Sequence, residues 1–263
     1  MNKEAKRIAK EKVAGTPALF VTEWWTEFLW DMYCPGCQTP LVGRIIAENL
    51  EELGVGDRTV MVMGNGCHAF LAGGLDFDVT SGGHGRAPDI ATAMKRIWPD
   101  AIVFTVQGDG DCIAIGADAL IGALGRGEKL TIIMVNNTNY GTTGGQLAPT
   151  TIVGQITTTS PQGRNPGTEG YPTHTAELVA TFKGVAYSAR GSLHTAADYR
   201  RTKGYIKNAF QRQIEGVGLS FVEVITACPP NWHMTPVESV AWIKEKVIQE
   251  FPLGEFKNVA HIE

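Results

Sequence analysis

The chain has 263 residues, 43% of them hydrophobic and 19% charged, which is enough apolar material for one large domain or two small ones. Its 23 basic and 27 acidic residues give a formal net charge of -4, so it carries no electrostatic footprint for nucleic acid or an anionic membrane. No run approaches the roughly 18 to 20 apolar residues of a membrane span, and the opening MNKEAKRIAKEK reads as a polar first helix and not a secretory signal, so a soluble, cytoplasmic protein is expected.

Elements alternate along the chain. Just before the first well-patterned helix, Trp24, Trp25, Phe28 and Trp30 form an aromatic cluster suited to core or subunit-interface packing. Thr39 to Leu53 has the helical period, Val60 to Met63 is a short apolar run, and Pro88 to Trp98 is helical again with Pro in its first turn. Ala101 to Val106 and Leu130 to Val135 read as buried strands flanking a Gly/Ala-rich helix over Ile113 to Leu124. From Thr138 to about Thr175 the sequence is rich in Gly, Thr and Pro without periodicity, and a stretch of that length in a compact domain points to function or disorder. The alternation then resumes with a helix near Ala176 to Phe182, a strand near Val185 to Ser188, a helix near Ala197 to Glu215, a strand over Leu219 to Ile225 and a helix over Pro236 to Phe251. Continuous apolar strands between amphipathic helices predict an α/β fold, a doubly wound and mostly parallel sheet. Neither a repeat nor a linker divides the chain, so one domain over residues 1–263 is expected.

In such sheets ligands collect beyond the carboxyl ends of the strands, where loops and helix N-termini expose unpaired N–H groups. Three motifs fall there: GNGC, GDGD and NNTNYG. The 31 glycines of the chain cluster in short motifs of this kind, as ligand loops require. Gly108-Asp109-Gly110 is followed after 25 residues by Asn136-Asn137. Asp109 offers a hard carboxylate oxygen, the glycines admit an anion close to the backbone, and Asn137 offers an amide oxygen from the next strand end. With a backbone carbonyl from about Asn139, that set suits a magnesium-bound diphosphate. Either dipeptide alone would more readily be a tight turn; their pairing across one βαβ unit favours a ligand site.

Five cysteines in a reducing compartment argue against a disulfide framework. Cys34 and Cys37 form a CxxC, Cys67 ends GNGC and Cys228 precedes two prolines. Four thiolates could hold an iron–sulfur cluster or zinc, or could be a redox pair with two packing cysteines. Cys112 fits no ligand set and reads as a packing residue at a helix start. The dense cysteine run of a ferredoxin module is absent.

The segment GDGDCIAIG through VNNTNYGTTGGQ resembles the thiamine-diphosphate motif, and the chain from about Tyr33 to the region of Cys228 resembles the β subunit of 2-oxoacid:ferredoxin oxidoreductases. The resemblance implies the thiamine-diphosphate-binding fold, with Mg2+ held by Asp109, Asn137 and the backbone of Asn139. It implies that Gly110, Asp111, Gly141 and Thr142 line the diphosphate, with Asn65, Gly66, Cys67, His68 and Gly108 also at the cofactor. Ser81-Gly82-Gly83-His84-Gly85-Arg86-Ala87 resembles the family's SxHGRA-like segment and puts His84 at a cofactor-contacting position. His84 and His68 are the catalytic candidates, and His68 and the loop through Gly144-Gly145-Gln146 are candidates for shaping the substrate pocket. Cys34, Cys37, Cys67 and Cys228 match the proximal 4Fe-4S cysteines, Cys67 standing beside the cofactor.

The implied activity is CoA-dependent oxidative decarboxylation of a 2-oxoacid, or the reverse, with coenzyme A as co-substrate and ferredoxin as acceptor. The acid is left open among pyruvate, 2-oxoglutarate, branched-chain and aromatic types. Implied partners are a pyrimidine-binding α subunit that supplies the activating glutamate, a γ subunit and a ferredoxin-like δ subunit, or fused equivalents, so the chain alone should be catalytically incomplete. The alternatives are a subunit of a non-redox thiamine-diphosphate decarboxylase or synthase, and a non-enzymatic metal-stabilised interaction protein.

Overall fold

The structure, a computed structural model, describes residues 32–262. The polar first helix and the cluster of Trp24, Trp25, Phe28 and Trp30 lie outside the described residues. In chain order the elements are α1 (Thr39–Leu53), β1 (Thr59–Met63), β2 (Asp78–Ser81), α2 (Ala87–Ile97), β3 (Ile102–Gly108), α3 (Ala117–Arg126), β4 (Thr131–Asn136), α4 (Pro166–Glu169), α5 (Thr175–Ala180), β5 (Val185–Ser192), α6 (Ala196–Ile214), β6 (Leu219–Ile225), α7 (Pro229–Trp232), α8 (Pro236–Trp242), α9 (Ile248–Glu250) and β7 (Gly254–Asn258). The strands form one sheet in the order β2-β1-β3-β4-β6-β5-β7. All neighbours are parallel except β7, which runs antiparallel to β5.

Burial on both faces explains the apolar strands. Along β3, Ile102, Phe104 and Val106 pack against Ile45, Ile46 and Leu50 of α1 and Phe210 of α6 in one core. Val103 faces the other way, into a second core with Ala91 of α2, Leu120 and Leu124 of α3 and Val179 of α5. Alternate residues of a strand point to opposite faces, so both sets must be apolar. Helix α1, with the bounds its period predicts, has a proline in its first turn and ends on Gly54 in the left-handed conformation.

Three departures from the sequence reading have physical causes. The helix expected over Ile113 to Leu124 is a wide π turn, Gly110–Ile115, followed by a break at Gly116 and then α3. The break lies where Gly85 packs backbone to backbone on Gly116, so closely that a Cβ on Gly85 would sit 2.6 Å from the Gly116 nitrogen. Strands β2 and β7 were not expected because both are sheet edges with half-exposed, polar sequences that lack a continuous apolar run. Strand β5 continues past Ser188 to Ser192 and takes the charged Arg190 into the core. There the guanidinium donates through Nε to Glu223 Oε2 at 2.9 Å and through Nη1 to Glu177 Oε1 at 2.8 Å, and lies over the rings of Phe251 and Phe256.

Between Asn136 and α5 the chain forms no regular element beyond the single turn of α4, in line with its aperiodic sequence. Order comes instead from one buried side chain. Arg164, 5% exposed, donates to the carbonyls of Ala148, Pro149, Thr151, Glu169, Gly170 and Tyr171. Buried carbonyls left without a donor cost about 1–3 kcal/mol each. Arg164→Met is therefore expected to lower stability by at least about 3 kcal/mol and to open residues 138–175 to limited proteolysis. A variant with the parent's melting temperature and cleavage pattern would show that the segment is held by other means.

Candidate active site

Strands β1, β3 and β4 are neighbours in the sheet, so the loops that leave their carboxyl ends stand side by side. GNGC follows β1, GDGD follows β3 and NNTNYG follows β4. Together they enclose a cavity lined by Asn65, Gly66, Cys67, His68, His84, Gly108, Asp109, Gly110, Asp111, Asn137, Asn139, Gly141 and Thr142. Every residue that the sequence reading assigned to the cofactor is in this lining. Thr39, Val135, Tyr140 and Thr143 complete it and were not expected. Tyr140 could have been found, since it lies within NNTNYG; Thr39, at the start of α1, has no motif around it. Gly144, Gly145 and Gln146 are not part of the lining.

The two carboxylates of GDGD have different jobs. Asp111 is spent on the protein. Its Oδ1 accepts from the backbone N–H of Gly85 at 2.8 Å and of Asn65 at 3.3 Å, and also meets His84 Nδ1. Its Oδ2 accepts from Gln107 Nε2 at 2.7 Å. One buried carboxylate thus joins the GNGC loop, the SGGHGRA loop and β3, and fixes the His84 ring. This narrows the expectation for Asp111: it lines the cavity, but its oxygens organise the loops. Asp109 is buried too, and its Oδ2 takes one side-chain donor, the Thr150 hydroxyl from the long aperiodic segment. Burial pushes its carboxyl up to about 7. A carboxylate so poorly compensated suits a cation next to it.

The NNTNYG loop turns sharply. Thr138 sits at φ 57°, in the left-handed region that a β-branched residue rarely enters. Asn137 and Asn139, on either side, both line the cavity, while Asn136 points back into the core. The short α7 braces the loop: Trp232 Nε1 donates to the Asn137 carbonyl at 3.1 Å, and Asn231 Nδ2 donates to the Gly141 carbonyl at 2.8 Å. His68 is buried, and burial lowers its pKa to about 4, so the ring is neutral near pH 7. Its Nε2 is buried without a partner, a polar atom still lacking a hydrogen bond at the cavity wall.

Cys34, Cys37, Cys67 and Cys228 all line a second cavity, together with Met32, Tyr33, Phe70, Pro230 and Asn231. All four are free thiols. Burial pushes the Cys228 thiol up to about 12 and raises that of Cys37 as well. Asn231 Nδ2 reaches Cys228 Sγ at 3.5 Å, and the Thr142 hydroxyl lies 2.9 Å from Cys67 Sγ. Among the described residues no three His, Cys, Asp or Glu side chains close on a single ion position. The cavity measures about 110 Å³, several times the room that one water-sized sphere needs. Cys112, within the π turn, is buried in the core, in keeping with a packing role.

The two cavities share a wall. Thr39, Cys67, Asn137 and Gly141 line both.

Residues 57–224 match the family described as thiamine pyrophosphate enzyme, C-terminal TPP binding domain. The chain is 41% identical over 226 residues to the ketoisovalerate oxidoreductase subunit VorA of Methanothermobacter thermautotrophicus, an alignment covering 86% of this chain and 47% of that protein. It is 37% identical over 242 residues to the 2-oxoglutarate synthase subunit KorB of Archaeoglobus fulgidus, covering 88% and 86%. The chain thus spans about half the length of the VorA proteins it matches and most of the length of this KorB. Its fold is similar to a chain of the 2-oxoglutarate:ferredoxin oxidoreductase from Magnetococcus marinus, solved with 2-oxoglutarate, coenzyme A and succinyl-CoA bound, with a TM-score of 0.76 at 21% identity over 92% of this chain and 86% of that one. By its strand-end loops, its domain match and its relatives, the chain belongs to the thiamine-diphosphate-binding subunits of the 2-oxoacid:ferredoxin oxidoreductase family.

Proposed function

We propose that this chain is the β subunit of a 2-oxoacid:ferredoxin oxidoreductase that converts a 2-oxoacid and coenzyme A to acyl-CoA and carbon dioxide. The bond to the carboxylate breaks, a carbon–sulfur bond to coenzyme A forms, and two electrons leave one at a time for ferredoxin; the reverse reaction uses the same site. The shared wall of Thr39, Cys67, Asn137 and Gly141 carries this reading, because it makes the anion cavity and the thiol cavity immediate neighbours.

Thiamine diphosphate, when bound, supplies the electron sink for loss of carbon dioxide. Asp109, Asn137 and the carbonyl of Asn139 would hold Mg2+, and the Gly66, Gly110 and Gly141 backbones and Thr142 would surround the diphosphate. His84, fixed by Asp111, and neutral His68 would donate hydrogen bonds to the cofactor or substrate. Cys34, Cys37, Cys67 and Cys228 would hold a 4Fe-4S cluster as thiolates, releasing their protons on assembly. Four free thiols at one cavity favour this reading over a non-redox decarboxylase or synthase.

The described residues share a single sheet, which supports reading them as one diphosphate-binding domain. The activating glutamate would then come from an α subunit, with γ and ferredoxin-like δ subunits or fused equivalents completing a cytoplasmic complex. No described helix is long and apolar enough to cross a membrane.

The complex purified without oxygen should reduce viologen with coenzyme A and one or more 2-oxoacids, and no reduction with any 2-oxoacid would refute the redox reading. It should also carry about four irons on this chain. Cys228→Ser is expected to lose that iron while keeping thiamine diphosphate, and a full iron complement in the variant would remove Cys228 from the ligand set.

Asp109 sets a pH dependence in the metal-free chain. Its carboxyl titrates at about 7, against a usual 3.8. Between those values the folded chain keeps a proton that the unfolded chain has lost, so stability falls as pH rises from about 4 to about 7 and levels off above. Asp109→Asn should flatten that slope in melting temperature against pH without divalent cation. Parallel curves for variant and parent would show that Asp109 is not the group responsible.

A further inference from the structure

Behind the cation-binding loop lies a buried ionic chain that the proposed reaction does not use. Arg190 is fully buried on β5 and shared between Glu177 and Glu223. Glu223, fully buried on the adjacent β6, accepts at its second oxygen from Asn136 Nδ2 at 2.7 Å. Asn136, the last residue of β4, accepts through its own Oδ1 from the Thr138 N–H at 2.9 Å. Thr138 is the residue held at φ 57° between Asn137 and Asn139. Its carbonyl is tied from the other side by the Thr151 hydroxyl at 2.7 Å and Gln155 Nε2 at 3.3 Å.

We propose that Glu223, anchored by Arg190, is a positioning residue for the divalent cation: through Asn136 it clamps the strained Thr138 turn that presents Asn137 and Asn139 to the cavity. A buried arginine and glutamate are expensive to desolvate, so two apolar residues of equal volume would stabilise a sheet at least as well. A turn that puts a β-branched residue in the left-handed region persists only where its surroundings over-determine it. Asn136 supplies that restraint with both ends of one amide.

This inference rests on the proposed Mg2+ and thiamine diphosphate site, and the experiment separates the two. Mn2+ serves as the probe, titrated with thiamine diphosphate into the full chain in its complex, and free Mn2+ is read by electron paramagnetic resonance. Glu223→Gln leaves one acceptor oxygen for two donors, Arg190 and Asn136, and so loosens the anchor; Asn136→Ser cuts the clamp and leaves the ion pair. Each is expected to raise the Mn2+ concentration for half-saturation about tenfold, with the parent's circular dichroism retained. Should Glu223→Gln fail to fold, Asn136→Ser decides. Adding Thr138→Gly to Asn136→Ser should recover most of the affinity, since glycine takes φ 57° without strain. Folded variants that bind Mn2+ as the parent does would overturn the clamp and leave the site reading intact, as would a double variant without recovery. A parent that takes up neither Mn2+ nor thiamine diphosphate would overturn both.

Discussion

One buried carboxylate, that of Asp111, sets the geometry on which the site depends. Three segments that meet at the carboxyl end of the sheet have no regular hydrogen bonding among themselves, yet each must be placed against the others. Asp111 accepts from the backbone of two of them and from Gln107 of β3, and it fixes His84. A carboxyl group at 2% exposure is tolerable because backbone and side-chain donors surround it. Asp109, two residues earlier, has fewer donors and a strongly raised carboxyl. Two acids of one motif thus stand in different surroundings, Asp111 held by donors from several segments and Asp109 by a single side-chain donor.

Much of this was legible in the sequence because the physics is local. The central strands are buried on both faces and announce themselves as unbroken apolar runs, and the motifs follow directly at their ends. Apart from Thr39, and from His84 beyond the unexpected β2, the cavity lining was readable for the same reason: its residues lie within a few positions of the ends of β1, β3 and β4. The thiol cavity was legible only as a set of residue types. Cys34, Cys67 and Cys228 lie far apart in the chain, and the fold brings the turn before α1, the loop after β1 and the start of α7 to one cavity.

What the sequence hid is long-range pairing. The strand pattern breaks off at Ser188 because a charged residue follows two positions later, but Arg190 is neutralised by Glu177 and Glu223 from other elements, and β5 runs on. Thr150 could not be connected to Asp109, since the segment carrying it follows no period and is shaped by the donors of Arg164. Edge strands β2 and β7 lacked the apolar signal for the opposite reason, being half exposed.

The partition between the cavities is one residue thick. At Gly141 an added methyl group would come within 3.4 Å of Cys67 Sγ and 3.0 Å of the Asn137 amide nitrogen. A side chain there would crowd the amide on one side and touch the sulfur on the other. A change at this one position would therefore register in both chambers at once.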